Sequence, residues 1–260
     1  MEYLLFRLYG PMASWGEIAV GETRHTASYP GKSAIIGLMA AALGIKRAKP
    51  EKQKQMQQGY ALAVEVHSQG TLLRDYHTVQ VPDSVGKFTY RTRRDELVLG
   101  KARLGTILSS REYRLDALSL VAVKALPNAP YDLQTIKKHL EEPIFHLYLG
   151  RKSCPLAAPL NPQISVDKSN YYEAFKAYEH KPMMPTNKSC KGTTISVRDA
   201  YWLRQADDRR YYWEGETSDF SDTLDMNRMQ TRIRHDQPLS RKRWQFSPRQ
   251  EHFFYYQGGE

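Results

Sequence analysis

Residues 30–45, PGKSAIIGLMAAALGI, read as a helix whose start and stop are written into the sequence. Pro30 disfavours helix in the residue before it, Ser33 is a capping residue type, and the run Ala40 to Ala42 has high helix propensity. Gly44 suits the left-handed cap that ends a helix. Ile35, Met39 and Leu43 recur at helical spacing and form a buried stripe. Gly37, Ala40 and Ala41 carry almost no side chain, so the helix is expected to lie close to a sheet. Lys32 and Ser33 then sit beside unpaired backbone N–H groups and the positive end of the helix dipole, an arrangement that suits phosphate.

Gly31-Lys32-Ser33 invites comparison with a nucleotide-binding P-loop. That loop needs an earlier glycine where this chain has Thr26, and a strand running directly into it. The segment before Gly31 is bulky and rich in turn residues, so a nucleoside triphosphate site is not the reading taken.

Composition points to an acidic partner. The 260 residues carry 38 Lys and Arg against 28 Asp and Glu, a net charge of +10, with 17 Tyr and 4 Trp. Nucleic acid is the first candidate for such a chain, and aromatic faces add stacking surface. Cys154 and Cys190 have neither the pairing of a zinc site nor the density of a disulfide scaffold, so no metal and no cofactor are expected. Reduced cysteines, the absence of a cleavable signal pattern and the lack of a membrane-length apolar run together predict a soluble cytoplasmic protein.

Taken in order, Tyr3 to Tyr9 reads as a first strand ended by Gly10-Pro11, with Met12, Trp15 and Arg24 on the loop that leads to the helix. Lys46 to Gln58 is polar and partly helical. Tyr60 to His67 is a second strand, and a turn at Gln69-Gly70 predicts a hairpin into Leu72 to Val79. Leu115 to Leu126 is a further apolar strand, and Tyr131 to Glu142 an amphipathic helix opened by Asp132. This order predicts an α+β, split βαβ domain, ferredoxin-like and similar in plan to RNA-recognition modules, over residues 1–150. Its helices are expected to cover one face and leave the other open.

Between these strands lies a basic interruption from Pro82 to Arg114, read as a protruding thumb. Lys87, Arg91, Arg93, Arg94, Lys101, Arg103, Arg111 and Arg114 stand against Asp95, Glu96 and Glu112. An insertion this long in a compact domain is usually functional or disordered. Leu97-Val98-Leu99 and Thr106-Ile107-Leu108 suggest hairpin pieces within it. Beyond Pro143, Tyr148 to Pro155 forms a turn-rich basic segment in which Cys154 is a packed side chain rather than a nucleophile. Residues 151–260 are expected to form a small β-rich region with an insertion over about 160–230. Within it, 160–192 reads as a linker, Ile195 to Arg204 and Arg209 to Glu214 as a hairpin, Arg228 to His235 as a strand, and Phe253 to Gln257 as the closing strand of a small second sheet.

Gly10-Pro11-Met12 with Trp15-Gly16, then Pro30 to Ile45, Leu73 to Val79 and Tyr148 to Pro155, resemble the CasD family of type I-E CRISPR Cascade subunits. The resemblance covers most of residues 1–160 and returns weakly from Arg234 to Gly259. It implies an RNA-recognition-like fold with a thumb. It also implies a non-catalytic role: gripping the 5′ handle of the CRISPR RNA and capping the filament beside backbone and large subunits, so that target DNA is met only through the complex. Carried onto this chain, the handle surface falls on Met12, Trp15, Arg24, Lys32 and Ser33, on Arg74, Tyr76 and His77, and on Arg151, Lys152 and Ser153. Lys87, Arg91, Arg93, Arg94, Lys101 and Arg103 would carry the thumb's contacts.

Two other classes compete. A metal-independent endoribonuclease acting on precursor CRISPR RNA would need a base for the 2′-hydroxyl and a proton donor for the leaving oxygen, and His25, His77, Lys32 and Tyr76 have suitable chemistry. A duplex-DNA regulator would need a reading helix or a zinc finger, and neither is recognisable.

Overall fold

The structure is a computed structural model. It describes residues 1–19, 21–84, 89–98, 100–181, 208–224, 226–240, 243 and 245–257. Lys87, Cys190 and the strand expected over Ile195 to Arg204 lie outside the described residues.

The element order is β1 (Tyr3–Tyr9), β2 (Met12–Ala13), β3 (Thr23–Arg24), α1 (Lys32–Ala42), α2 (Pro50–Gln58), β4 (Tyr60–Ser68), β5 (Thr71–Pro82), α3 (Arg93–Val98), β6 (Leu104–Leu115), β7 (Leu118–Ala125), α4 (Leu133–Glu141), β8 (Gln163–Ser165), α5 (Tyr171–Lys176), β9 (Arg209–Trp213), β10 (Gln230–Ser240) and β11 (Gln245–Tyr256). Within it, β1-α1-β4-β7-α4-β8 forms a βαββαβ unit with strand order β4-β7-β1-β8, every neighbour antiparallel. This is the expected ferredoxin-like, α+β core.

Strand alternation explains the layers. Leu4, Phe6 and Leu8 of β1, Leu62, Val64 and Val66 of β4, and Val121 and Val123 of β7 share one face, packed under Ile35, Ile36 and Met39 of α1 and Leu133, Ile136 and Leu140 of α4. The α4 start is fixed by Asp132, whose side chain accepts the Thr135 N–H at 2.6 Å. At the end of α1, Ile45 N–H reaches Ala40 O at 2.8 Å and Gly44 N–H reaches Ala41 O at 3.1 Å. With Gly44 at φ +70° this is a Schellman cap, the stop expected from the sequence.

The start of α1 differs from expectation. Gly31, not Ser33, is the N-cap, and it makes no side-chain cap bond. The carboxylate of Asp236 supplies the missing acceptor: its Oδ2 takes the Lys32 N–H at 2.9 Å. A Cβ on Gly31 would meet that oxygen at 2.5 Å, so glycine is what lets the carboxylate approach.

The second sheet face is also closed rather than open. Tyr171, Ala174 and Phe175 of α5, followed by Tyr178, lie against Tyr3, Leu5, Ala63, Leu120, Ala122, Tyr211, Trp213 and Phe254, with Phe220 stacked on Trp213 at 4.4 Å. The stretch expected as a linker over 160–192 thus contains β8 and α5. Buried aromatic area of this kind is worth several kcal/mol per ring, which outweighs the polar composition around it.

Two further expectations are corrected by pairing. β5 does not form a hairpin with β4: it pairs with β6 along its whole length, from Thr71↔Leu115 to Pro82↔Leu104. Gly70, at φ +65°, makes the bend that sends the chain off the main sheet, and a Cβ there would lie 2.1 Å from Leu115 O. The thumb therefore begins at Thr71, not Pro82, and its tip carries α3 over the residues expected as a strand piece. Among the described residues the C-terminal end forms no separate sheet. β9 pairs with both β4 and β11, so β10-β11-β9 continues the core into one sheet of order β10-β11-β9-β4-β7-β1-β8.

Candidate nucleic-acid interface

Three of the segments that carry the family resemblance, at Gly16, along Pro30 to Ile45 and at Tyr148 to Gly150, contribute to one cleft, while Leu73 to Val79 lies in the thumb ribbon. Ser14 N–H donates to Leu149 O at 3.0 Å, and Ala157 N–H to Tyr9 O at 3.1 Å, which ties the turn after β1 to the turn at 148–155. That turn is closed by a Tyr148↔Pro155 bridge and by Leu149 N–H to Cys154 O at 2.8 Å. Gly150 is needed in it: at φ +85°, its missing Cβ would lie 1.8 Å from Ser14 O. Leu149 and Cys154 are fully buried beneath, and burial pushes the Cys154 thiol upward, away from thiolate chemistry.

The cleft has a volume of 1110 Å³ and lies between one flank of α1, the loop at 16–19, the 145–150 turn and the start of the β10–β11 hairpin. Ser33, Ala34, Gly37 and Ala41 face it, so the small residues expected to bring α1 close to the sheet partly line an open space instead; Ala40 alone of the expected set is buried. Arg24, Lys46, Arg47 and Arg234 line it against Glu17 and Asp236, with His146 and His235 besides. Phe145, Tyr148 and Phe246 supply aromatic surface. A positive wall with aromatic faces suits an irregular single strand.

Of the residues expected from sequence, Arg24 and Ser33 line this cleft. Trp15 does not stack toward it: the ring is 4% exposed in the core, and its backbone N–H donates to Thr26 Oγ1 at 2.8 Å. Met12 pairs with Leu115 at the thumb base and is packed on the core. Lys32 is taken inward, its Nζ 2.7 Å from Glu214 Oε2 with side chains 10% and 13% exposed. The open phosphate site expected at the helix start is thus filled by the protein's own Asp236 and Glu214. Arg151 is half-buried over the Tyr113 ring at 4.9 Å, while Lys152 and Ser153 are exposed on the turn.

The thumb residues form a second group. Arg74, His25 and the Thr26 N–H converge on Glu112, at 2.9, 3.2 and 3.4 Å. Burial pushes this carboxyl up, but the Arg74 and His25 hydrogen bonds outweigh it and hold the pKa below the usual range. Glu112 therefore pins the ribbon to the loop before α1. Tyr76 is 63% exposed, and His77 Nε2 lies 2.5 Å from Asp75 Oδ2. Arg91, Arg94 and Arg103 are exposed at the tip, where Arg93 is held by Gln80 O and Glu96; Lys101 falls in the short 3₁₀ turn Lys101–Arg103.

Sequence reasoning missed Lys46, Arg47, Phe145, His146, Arg234, His235 and Phe246 as neighbours of this cleft. The one signal for the last group was the weak return of the resemblance after Arg234.

The chain is similar to known CRISPR-associated proteins in sequence and fold. The E. coli (strain K12) CRISPR system Cascade subunit CasD is 34% identical over 166 residues, 61% of this chain and 69% of that protein. A chain titled CRISPR RNA-guided surveillance complex superposes with a TM-score of 0.62 at 26% identity, covering 97% of this chain and 89% of the other. A structure titled Crystal structure of Cas protein shares the fold, with a TM-score of 0.57 at 23% identity over 98% and 95% of the two chains. The family described as CRISPR-associated protein (Cas_Cas5) matches residues 3–251, a span that takes in the core sheet, the cleft and the thumb, and the chain belongs to that family.

Proposed function

We propose that the chain is a non-catalytic subunit of a CRISPR RNA-guided surveillance complex and grips the 5′ handle of the CRISPR RNA. The observation that carries this reading is the cleft itself: Arg24, Lys46 and Arg47 on its lining, the rings of Phe145, Tyr148 and Phe246 beside them, and three of the segments that carry the resemblance at its edge. Arginine donors take phosphates and the rings take splayed bases, while the sequence of the guide is left to base pairing. Arg74, Tyr76, Arg91, Arg94 and Arg103 extend the contact along the thumb, and Lys152 and Ser153 extend it beyond the 148–155 turn. Backbone and large subunits would flank it, with target DNA met through the complex. No helix among the described residues is long and apolar enough to cross a membrane.

The nuclease alternative finds less support. Lys32 is held by Glu214 in the body, His25 by Glu112 at the thumb base and His77 by Asp75 on the ribbon, and Tyr76 points to the ribbon face opposite His77. A base and an acid must act together on one scissile phosphate, whereas here each histidine is engaged by a carboxylate and Lys32 by Glu214. The test is to purify the chain with its neighbouring subunits and sequence the bound RNA, and to incubate the chain alone with precursor repeat RNA without metal. A uniform RNA with a fixed 5′ end and no cleavage is expected. Specific cleavage lost in His77→Ala or His25→Ala, with binding retained, would favour the nuclease.

A further inference from the structure

The C-terminal strands carry a second group of cations, Arg210 and Arg232, that do not line the cleft. In the register of β9, β11 and β10, Arg210 faces Tyr255, Tyr212 faces Phe253 and Arg232 faces Glu251, which puts these side chains on one side of the sheet. The Arg210 guanidinium sits 5.1 Å from the Tyr255 ring centroid. Arg232 sits 4.6 Å from that of Phe253 and 5.2 Å from that of Tyr212. Arg232 is exposed, and Phe253 and Tyr255 are half-exposed.

What separates these arginines from their neighbours is that the acids near them are already engaged: Glu251, opposite Arg232, by Arg249 and Arg234, and Asp208 by the Tyr255 hydroxyl. Lys32, Arg234 and Arg249 are matched by Glu214, Asp236 and Glu251 in a buried network. Arg210 and Arg232 touch rings only and form no ion pair among the described residues. The nearby Asp208 accepts the Tyr255 hydroxyl at 2.6 Å and so fixes that ring. A guanidinium held over an aromatic face has already lost much of its rotamer freedom and still presents a planar edge of donors, the form that binds phosphate best.

We infer that the Arg210–Tyr255 and Arg232–Phe253 pairs form a second surface for a single-stranded nucleic acid, outside the cleft. Its two unmatched positive charges call for an anionic ligand, and its half-exposed rings for one with open base faces. A duplex offers the first and not the second. The Cα atoms of Arg210 and Arg232 lie about 16 Å apart, from strand spacing and rise, so they would grip separate phosphates. The strand is either a part of the guide RNA or single-stranded DNA brought by the target, and the test distinguishes them.

The full chain is titrated with labelled single-stranded RNA, single-stranded DNA of the same sequence and the corresponding DNA duplex over a range of salt. The double variant Arg210→Gln/Arg232→Gln should lower the log–log salt slope by about 1.4, or about 0.7 for each lost phosphate contact on a single strand. Arg210→Lys/Arg232→Lys should keep most of that slope but bind several-fold more weakly, since lysine does not stack as arginine does. A loss confined to RNA or to DNA names the strand, and an equal loss on both assigns the surface to any single strand. An unchanged slope and affinity on both polymers, or an equal loss on duplex, would overturn the inference. Ultraviolet cross-linking of the wild type is independent of variant folding: adducts are expected on Tyr255 or Phe253, and adducts found only elsewhere would overturn it. Arg24→Gln/Lys46→Gln, assayed in parallel, tests the cleft alone, so either surface can fail without the other.

Discussion

Asp236 caps a helix 204 residues away, its Oδ2 accepting the Lys32 N–H at 2.9 Å while its Oδ1 receives Arg249 Nε at 2.5 Å. Arg249 also reaches Glu214 at 3.1 Å and Glu251 at 2.6 Å, and the Tyr29 hydroxyl donates to Glu251. One buried network thus fastens α1 to β9, β10 and β11. Removing one partner from such a network strands the others without solvent, so Asp236→Ala should lower unfolding free energy by about 3 kcal/mol. Lys32→Ala should likewise lower the melting temperature and leave the salt slope of RNA binding unchanged. A normal melting temperature with a slope reduced by about 0.7 would instead make Lys32 a phosphate contact.

The same carboxyl sets a pH dependence. Burial pushes the Asp236 pKa up, but the Arg249 hydrogen bonds and the charges of Arg249 and Arg234 prevail and hold it below the usual value. In the unfolded chain Asp titrates near about pH 4, so the stability it contributes is full above that and is lost as pH falls through the lower folded pKa. Glu214 runs the other way: burial outweighs Lys32 and Arg249 and raises its pKa, so its contribution is present below the unfolded value and is lost as pH rises through the folded one. Urea unfolding across the acid range should give Asp236→Asn a shallower acid loss than wild type. Identical acid profiles would contradict the assignment.

Glycine substitutions separate the two turns at the cleft. Gly150→Ala forces a Cβ onto Ser14 O at a positive φ, and should cost about 2 kcal/mol or more while displacing the rim. At Gly16 no atom lies within 4 Å of an added Cβ, and Gly16→Ala should stay within about 0.5 kcal/mol of wild type. Equal melting temperatures for the two variants would refute the close contact.

The thumb can be shortened only above its anchor. Glu112, Tyr113 and the Met12↔Leu115 pairing belong to the base, so a cut from Gly86 to Arg111 would run into it. Joining Thr78 to Leu108, which face each other, by a short Gly-Ser turn should leave the fold intact, since loop closure costs little at the surface. RNA binding and assembly should weaken. Unimpaired assembly of the folded variant, by gel filtration, would remove the thumb from the proposed interface.

The core was legible because its signals are local. β1, β4 and β7 alternate, Asp132 caps α4 within three residues, and Gly44 ends α1 with its own left-handed φ. The thumb boundary was not, because Leu72 to Val79 alternates as a core strand does and its partner, Leu104 to Leu115, lies beyond a polar stretch. The helix-start site misled for a related reason: the sequence marks where an anion fits, but the anion that fills it is Asp236, brought by long-range sheet pairing. The aromatic second layer escaped because α5 is one short helix among Pro, Lys and Asn, whose role is set by Trp213 and Phe220 from elsewhere in the chain. The cleft itself is assembled from the 16–19 loop, α1, the 145–150 turn and the β10–β11 hairpin, and their meeting is set by long-range pairing that no one of them encodes.

The most direct test of the account is to map cross-links between the assembled complex's guide RNA and this chain by mass spectrometry. The RNA 5′ handle should cross-link to Phe145, His146 or Tyr148 on the cleft wall, and Arg24→Gln/Lys46→Gln should suppress those adducts while the subunit remains folded. Handle adducts absent from the cleft, with the subunit present and the RNA intact, would contradict the proposal that this cleft holds the 5′ end of the guide.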